Sequence, residues 1–370
     1  MIVSRVLDTF LDLVRISSPT GREREVAEYA AAVLRDAGCV VRFDDTQAET
    51  GADIGNVIAT LAGSVPGMVV AFSAHMDCVD PCQGVVPVVE AGIVRSAGDT
   101  VLGGDDKAGV AAALEAVRRL AESGEPHADV RVLLTVSEEQ GLVGAKALSL
   151  EDASSDICLV LDAHGPVGGI VTAAPTHYTF EARFAGRAAH AGVEPEKGVS
   201  AITMAADAIT RMELGRLDES TTANIGTIQG GSATNVVAPT CQVTGECRSR
   251  DRERVEQVRA SMDTALREAA AAHGGSVDAQ WTLEYEGFDV AADSSPIALL
   301  DAACADIGVA AHRFATGGGS DGNVIAALGV PTVVLATGMS KVHTTDEELA
   351  VADLERLSDL LVAVVRRAVG

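Results

Sequence analysis

Hydrophobic positions along this 370-residue chain fall into two textures. In one, short and nearly unbroken aliphatic runs alternate with stretches of helical period. These runs are Met68-Val-Val-Ala-Phe-Ser-Ala, Val130-Arg-Val-Leu-Leu-Thr-Val, Ile157-Cys-Leu-Val-Leu and Val330-Pro-Thr-Val-Val-Leu. Runs of this length, rich in β-branched residues, predict parallel strands buried on both faces. Further strands are expected near 39–43, 56–61, 167–173 and 312–315, with helices at 4–16, 21–37, 105–123, 294–307, 320–328 and 351–368. In the other texture, beginning near residue 176, apolar and polar residues alternate at 177–184, 222–228, 241–247 and 277–285. That period of two belongs to strands with one covered face, and the helical stretches at 197–213 and 251–273 supply the cover.

The order of the two textures predicts an α/β fold, a mixed sheet flanked by helices, interrupted by an inserted α+β domain. The expected division is residues 1–175, then an insertion over 176–286, then a return to the first domain over 287–370. An insertion of about 110 residues has the usual size of a separate domain.

Composition narrows this picture. A hydrophobic content of 47% supports a sizeable core, but aromatics are only 3%, so Ala, Val and Leu must build it. The net charge of −25 disfavours nucleic acid and anionic membranes as partners. The seven cysteines show no CxxC pair and read as reduced, buried thiols. No apolar run approaches the ~20 residues that span a bilayer, and Ser4 to Ile16 is amphipathic rather than signal-like. A soluble, cytoplasmic protein is expected.

The chemistry lies where the aliphatic runs stop. The first leads into His75-Met76-Asp77, the second into Glu138-Glu139, the third into Asp162 and the fourth, after a loop, toward His343. Gly103-Gly104-Asp105-Asp106-Lys107 opens the helix between the first two. Ligands in such sheets sit beyond the carboxyl ends of the strands, so these side chains converge on one site. Residues two apart on a strand face the same way, which lets the Asp77 carboxylate orient the His75 ring and sharpen it as a metal donor. Of two adjacent acids on an extended chain, one can hold metal while the other serves as general base. Each element alone has an ordinary reading: a strand-end histidine with a chance neighbour, or acids placed at a helix start by the macrodipole. The glycine-flanked acids lack Walker spacing and would repel a phosphate. A charge count supports the set: two Zn²⁺ balance the carboxylates of Asp105, Glu139 and Asp162 plus a hydroxide, with His75 and His343 neutral.

The ordered series Ser73-Ala-His75-Met-Asp77, Gly103-Gly-Asp105-Asp106-Lys107, Ser137-Glu138-Glu139-Gln-Gly141, Leu161-Asp162 and His343-Thr344 resembles the dinuclear-zinc exopeptidase and deacylase family. Leu102-Gly-Gly-Asp-Asp-Lys-Ala-Gly109 and Gly186-Arg-Ala-Ala-His190-Ala-Gly resemble its tripeptidase-T-like branch, although Gly104 stands where that branch commonly has Ala. The resemblance implies that Asp105 bridges two metals, with Glu139 and His343 on one and His75 and Asp162 on the other. It makes Glu138 the base and places a cis peptide between Asp105 and Asp106. Asp rather than Glu at 162 matches the peptidases of the family. It further implies that His190 supports the carbonyl oxygen under attack, that Asn235 and Arg248 contact substrate, and that the inserted domain is a lid and forms a homodimer.

The Gly317-Gly318-Gly319-Ser320 turn precedes a helix, and its backbone N–H groups suit an anionic substrate end; a plain tight turn is the other reading. The expected activity is aminopeptidase action on short peptides, tripeptides first. An N-acyl-amino-acid amidohydrolase or carboxypeptidase, or a non-catalytic zinc-dependent peptide-binding protein, are the alternatives. Mn²⁺ or Co²⁺ would also suit the donor set.

Overall fold

A computed structural model describes residues 4–369. The chain divides into two compact units. The first comprises residues up to Thr172, Asp289–Ala315, and the chain from Ser320 onward; the second comprises Ala173–Phe288 with Thr316–Gly319.

The first unit is built on a mixed sheet. From one edge inward it runs Val40–Phe43, Val57–Leu61, Val130–Thr135, Val70–His75, Ile157–Ala163, Thr332–Ala336 and Gly169–Ala174, with His312–Ala315 beside the last. The four central strands, Val130–Thr135 to Thr332–Ala336, are mutually parallel, and the flanking pairs are antiparallel. Every residue of Val70–His75 and Thr332–Ala336 is buried, which is why these strands read as continuous apolar runs. Val70–His75 and Val130–Thr135 are paired so that His75 lies level with Thr135, and the two strands end together.

Helix Gly104–Ser123 packs on this sheet and against the helices Arg5–Arg15 and Val351–Arg367. Small residues, Ala108, Gly109, Ala111, Ala112, Ala113 and Ala116, make up much of its buried surface, with Val110, Leu114, Val117 and Leu120 between them. A Cβ at Gly109 would come within 2.7 Å of the Leu161 carbonyl oxygen, so glycine sets how closely this helix lies on the strand carrying Asp162. The predicted helix begins at Asp105, but Asp105 (φ −81°, ψ 106°) and Asp106 (φ −116°, ψ 35°) are not helical. Their peptide bond is cis, and regular helix runs on from Lys107. A small sheet of Pro87–Glu90, Ile93–Ser96, Glu348–Ala350 and Met339–Ser340 has no counterpart in the predicted elements. Each of its strands has four residues or fewer, a length at which periodicity is a weak guide.

The second unit is an antiparallel sheet in the order Gly215–Arg216, Thr221–Gly230, Thr240–Ser249, Thr176–Ala185, Ser276–Tyr285. Helices Ala201–Arg211 and Arg252–Ala272 cover one face, burying Phe180, Phe184, Val243 and Cys247 against Met204 and Leu266. Both helices are capped at their N-termini, by Ser200 and Asp251, whose side chains accept the backbone N–H groups that no helical carbonyl reaches. Here alternation along strands of up to ten residues made the elements legible.

Candidate metal centre

Four parallel strands bring their carboxyl ends to one edge of the first unit's sheet. His75 is the last residue of its strand and Asp162 the last but one. Glu138 and Glu139 follow Val130–Thr135 through Ser137, whose positive φ of 54° turns the chain. His343 follows Thr332–Ala336 on a loop, and Asp105 enters from the turn ahead of its helix.

The five predicted ligands meet. Asp105 lies between the two histidines: its Oδ1 is 3.0 Å from His75 Nε2 and its Oδ2 is 3.2 Å from His343 Nε2. Asp162 Oδ1 stands 3.8 Å from His75 Nε2, and Glu139 Oε1 stands 3.1 Å from His343 Nε2. Two ligand groups result, His75–Asp105–Asp162 and Asp105–Glu139–His343, each with donor atoms within 4.8 Å of one another. They share Asp105, one oxygen for each. Glu138 joins His75 and Glu139 in a third such group.

The electrostatics are those of an anionic pocket. Burial drives the Glu138 carboxyl well above the carboxylate range and Asp162 reinforces it; burial and Asp105 do the same to Asp162. Burial alone would lower the His75 pKa, but hydrogen bonding to Asp105 and Asp77 holds it well above its ordinary value. Asp105 and Glu139 push His343 up to about 10. Burial would raise the Asp105 carboxyl, yet the neighbouring His343 and His75 hold it well below the usual range. The donors are carboxylate oxygens and imidazole nitrogens, a set that fits Zn²⁺, Mn²⁺ or Co²⁺. Glu139 Oε1 is buried without a well-directed hydrogen-bond donor, as an oxygen reserved for a cation would be.

Around the ligands lies a shell that the sequence reading largely missed. The Asp77 carboxylate approaches His75 Nδ1 only to 3.4 Å, while the Asp77 carbonyl oxygen lies 3.0 Å from that nitrogen. The carboxylate also accepts the backbone N–H groups of Glu138 (3.0 Å) and Glu139 (3.2 Å) and the Thr20 hydroxyl (2.7 Å). Glu23, fully buried, accepts the N–H groups of Gly21 and Ser137. Asp321 accepts the Thr135 hydroxyl at 2.5 Å, and Glu347 accepts the N–H groups of Gly103 and Asp105. Lys107 is buried and donates to the Ile16 carbonyl oxygen at 2.7 Å. The segment Ser17–Gly21 between the first two helices thus braces the site.

The remaining predicted residues divide between the units. In the second, His190 and Asn235 are exposed neighbours: His190 pairs with Val236, and the Ala191 N–H donates to the Asn235 carbonyl oxygen at 2.9 Å. Arg248 is 2.7 Å from Glu246 and 3.2 Å from the Tyr285 hydroxyl, while Glu246 also meets His177 at 2.9 Å. Gly319 lies so close to Tyr285 that a Cβ there would be 2.2 Å from its ring. The expectation of free N–H groups along the glycine-rich turn needs correction. The Gly318 N–H donates to Thr316 Oγ1 and the Ser320 N–H to Asn323 Oδ1. The Ser320 hydroxyl caps helix Asp321–Ala327, so Gly318 and Ser320 use these groups within the chain itself.

Fold and site together define a class, hydrolases of the metal-dependent exopeptidase type. Residues 56–197 match the model of peptidase family M28, and residues 173–274 match the peptidase dimerisation domain of the M20 type. The crystal structure of aminopeptidase PepT from Bacillus cereus is 42% identical over 99% of this chain and 98% of that one, with a TM-score of 0.93. A tripeptidase from Staphylococcus aureus is 36% identical over 99% and 98%, with a TM-score of 0.95. The uncharacterised protein YqjE of Bacillus subtilis is 43% identical over 98% of each chain. This chain belongs to the PepT family of peptide hydrolases.

Proposed function

We propose that the chain is a two-metal aminopeptidase of short peptides, tripeptides first, with zinc as the expected metal. The observation that carries this reading is Asp105, one carboxylate oxygen turned toward each histidine, the arrangement a bridging ligand needs. His75 and Asp162 would hold one cation and Glu139 and His343 the other. Such a pair, when bound, supplies Lewis-acid polarisation of the scissile carbonyl and acidification of water.

The chain's own residues supply the rest. Glu138, buried among like charges, readily takes a proton from the attacking water and returns it to the leaving amine. Asp77 holds the backbone of Glu138 and Glu139, so base and ligand keep their spacing. His190 as support for the carbonyl oxygen and Asn235 and Arg248 as substrate contacts are roles carried over from the family resemblance. We further propose a homodimer through the inserted unit, in line with its match to a dimerisation domain. A cytoplasmic setting suits the peptide chemistry; among the described residues no helix is long and apolar enough to cross a membrane.

A hydrolysis panel read by mass tests the substrate: free tripeptides, their N-acetylated forms, and peptides ending in glutamate. Loss of the first residue from free tripeptides is expected. Turnover confined to acylated substrates, or release of the C-terminal residue, would replace this reading by the deacylase or carboxypeptidase one. No turnover across the panel would favour a peptide-binding protein.

A further inference from the structure

Glu347 is 2% exposed, yet it stands four residues beyond His343 on a loop whose histidine is half-exposed. Its carboxylate accepts the Gly103 N–H at 2.8 Å on one oxygen and the Asp105 N–H at 2.9 Å on the other. Those N–H groups belong to a non-helical turn, with Gly103 at φ 77° and Asp105 and Asp106 outside helical geometry. No regular ladder satisfies them, so a side chain must. Gly104 sits beneath the clamp, where a Cβ would lie 3.0 Å from Glu347 Oε1. On the other side, the loop itself contains two non-glycine residues in the left-handed region, Lys341 (φ 55°) and His343 (φ 61°). That conformation is disfavoured for residues with a Cβ, so the loop needs an anchor. Glu347 is its buried end, and the Glu347 N–H closes back on the Thr344 carbonyl oxygen at 3.1 Å.

We propose that Glu347 is a positioning residue that fastens the His343 loop to the Asp105 turn, so that the bridging carboxylate and the last imidazole meet metal as one preformed unit. The inference rests on the reading of the site as a two-metal centre. It touches neither substrate nor metal; it acts through the backbone of one ligand turn and the loop of another ligand. A carboxylate is required because two N–H groups need two acceptor oxygens, and an amide offers only one.

The test is Glu347→Gln, nearly isosteric, in the full-length protein. Metal-free wild type and variant are titrated with Co²⁺, followed by its visible absorption and by competition with a chelator. Wild type should take up two Co²⁺. The variant should bind both more weakly, with the larger loss, about 10–100-fold, at the site that includes His343 as well as Asp105. Its kcat should fall with KM unchanged, and its metal-free form should melt with the wild type. Two Co²⁺ bound at wild-type affinity by the folded variant would overturn the proposal. So would equal weakening at both sites with a lowered metal-free melting point, the mark of a merely structural group. Wild type that takes up no Co²⁺ would instead sink the two-metal reading itself. Should the variant not fold, amide exchange in metal-free wild type decides: slow exchange at Gly103 and Asp105 supports the clamp, and unprotected amides there refute it.

Discussion

In the second unit Glu246 lies 2.9 Å from His177 and 2.7 Å from Arg248, and these partners hold its carboxyl down to about 2. At the strand ends of the first unit, burial drives Glu138, Asp162 and Asp106 well above their ordinary values and lifts Asp321 to about 6. Asp218 in the second unit is likewise lowered, to about 2, by the Ser220 N–H and then by neighbours that include Arg254. One unit neutralises its acids with its own donors and cations. The other gathers Asp105, Glu138, Glu139 and Asp162 around two histidines, His75 and His343. Burying charge without a partner costs several kcal/mol per group, so a fold that keeps such a cluster must recover the cost elsewhere. A cation from solution is the recovery these donor types suit, and metal binding then becomes part of the folding energy of that unit.

The contrast is sharpest in activity. Replacing Glu138 by alanine should lower kcat by about 10²–10⁴-fold with both metal ions retained, since a general base contributes on that order. Metal analysis beside steady-state kinetics checks this, and wild-type turnover in the metal-loaded variant would refute the assignment of the base.

Next in size is the effect of metal on stability. The single tryptophan, Trp281, lies in the second unit on strand Ser276–Tyr285, so its fluorescence reports that unit alone. Removing metal with a chelator should weaken the first unit by about 4 kcal/mol relative to metal at a thousandfold excess over its Kd. The transition seen by circular dichroism should fall while the Trp281 transition stays in place. A matching shift in both would show that the units do not melt separately.

The smallest effect concerns acid. The Glu246 carboxyl is lower in the folded chain than its ordinary 4.5, so the stabilisation is full above that pH and disappears as pH falls toward about 2. Glu246→Gln should therefore destabilise the second unit near neutrality by about 1–2 kcal/mol after allowance for solvent screening. The gap between variant and wild type should close in acid. Denaturant unfolding followed by Trp281 at several pH values checks both sign and window; a gap that widens in acid would contradict the pairing.

How much of this was legible before folding depends on the residue. His75, Glu138, Glu139 and Asp162 could be read because each ends, or closely follows, a run whose burial was written in its own side chains. Asp105 was legible as chemistry, but the predicted helix hid its non-helical turn, because glycine and small residues carry no periodic mark of where a helix begins. Asp77 was read as the partner of the His75 ring; it stands beside that ring and also accepts two backbone N–H groups. Ser320 was read as a ligand contact and proved to be a helix cap. Glu23, Asp321 and Glu347 went unread.

Side chains taken in order were enough for the two textures, the parallel strands and the candidate donor residues, because burial and donor chemistry are properties of the side chains themselves. Folding selected which carboxylates converge on the donor cluster and which hold the turns around it. That choice depends on which backbone N–H groups the folded chain leaves without a carbonyl, and no residue in isolation carries that information.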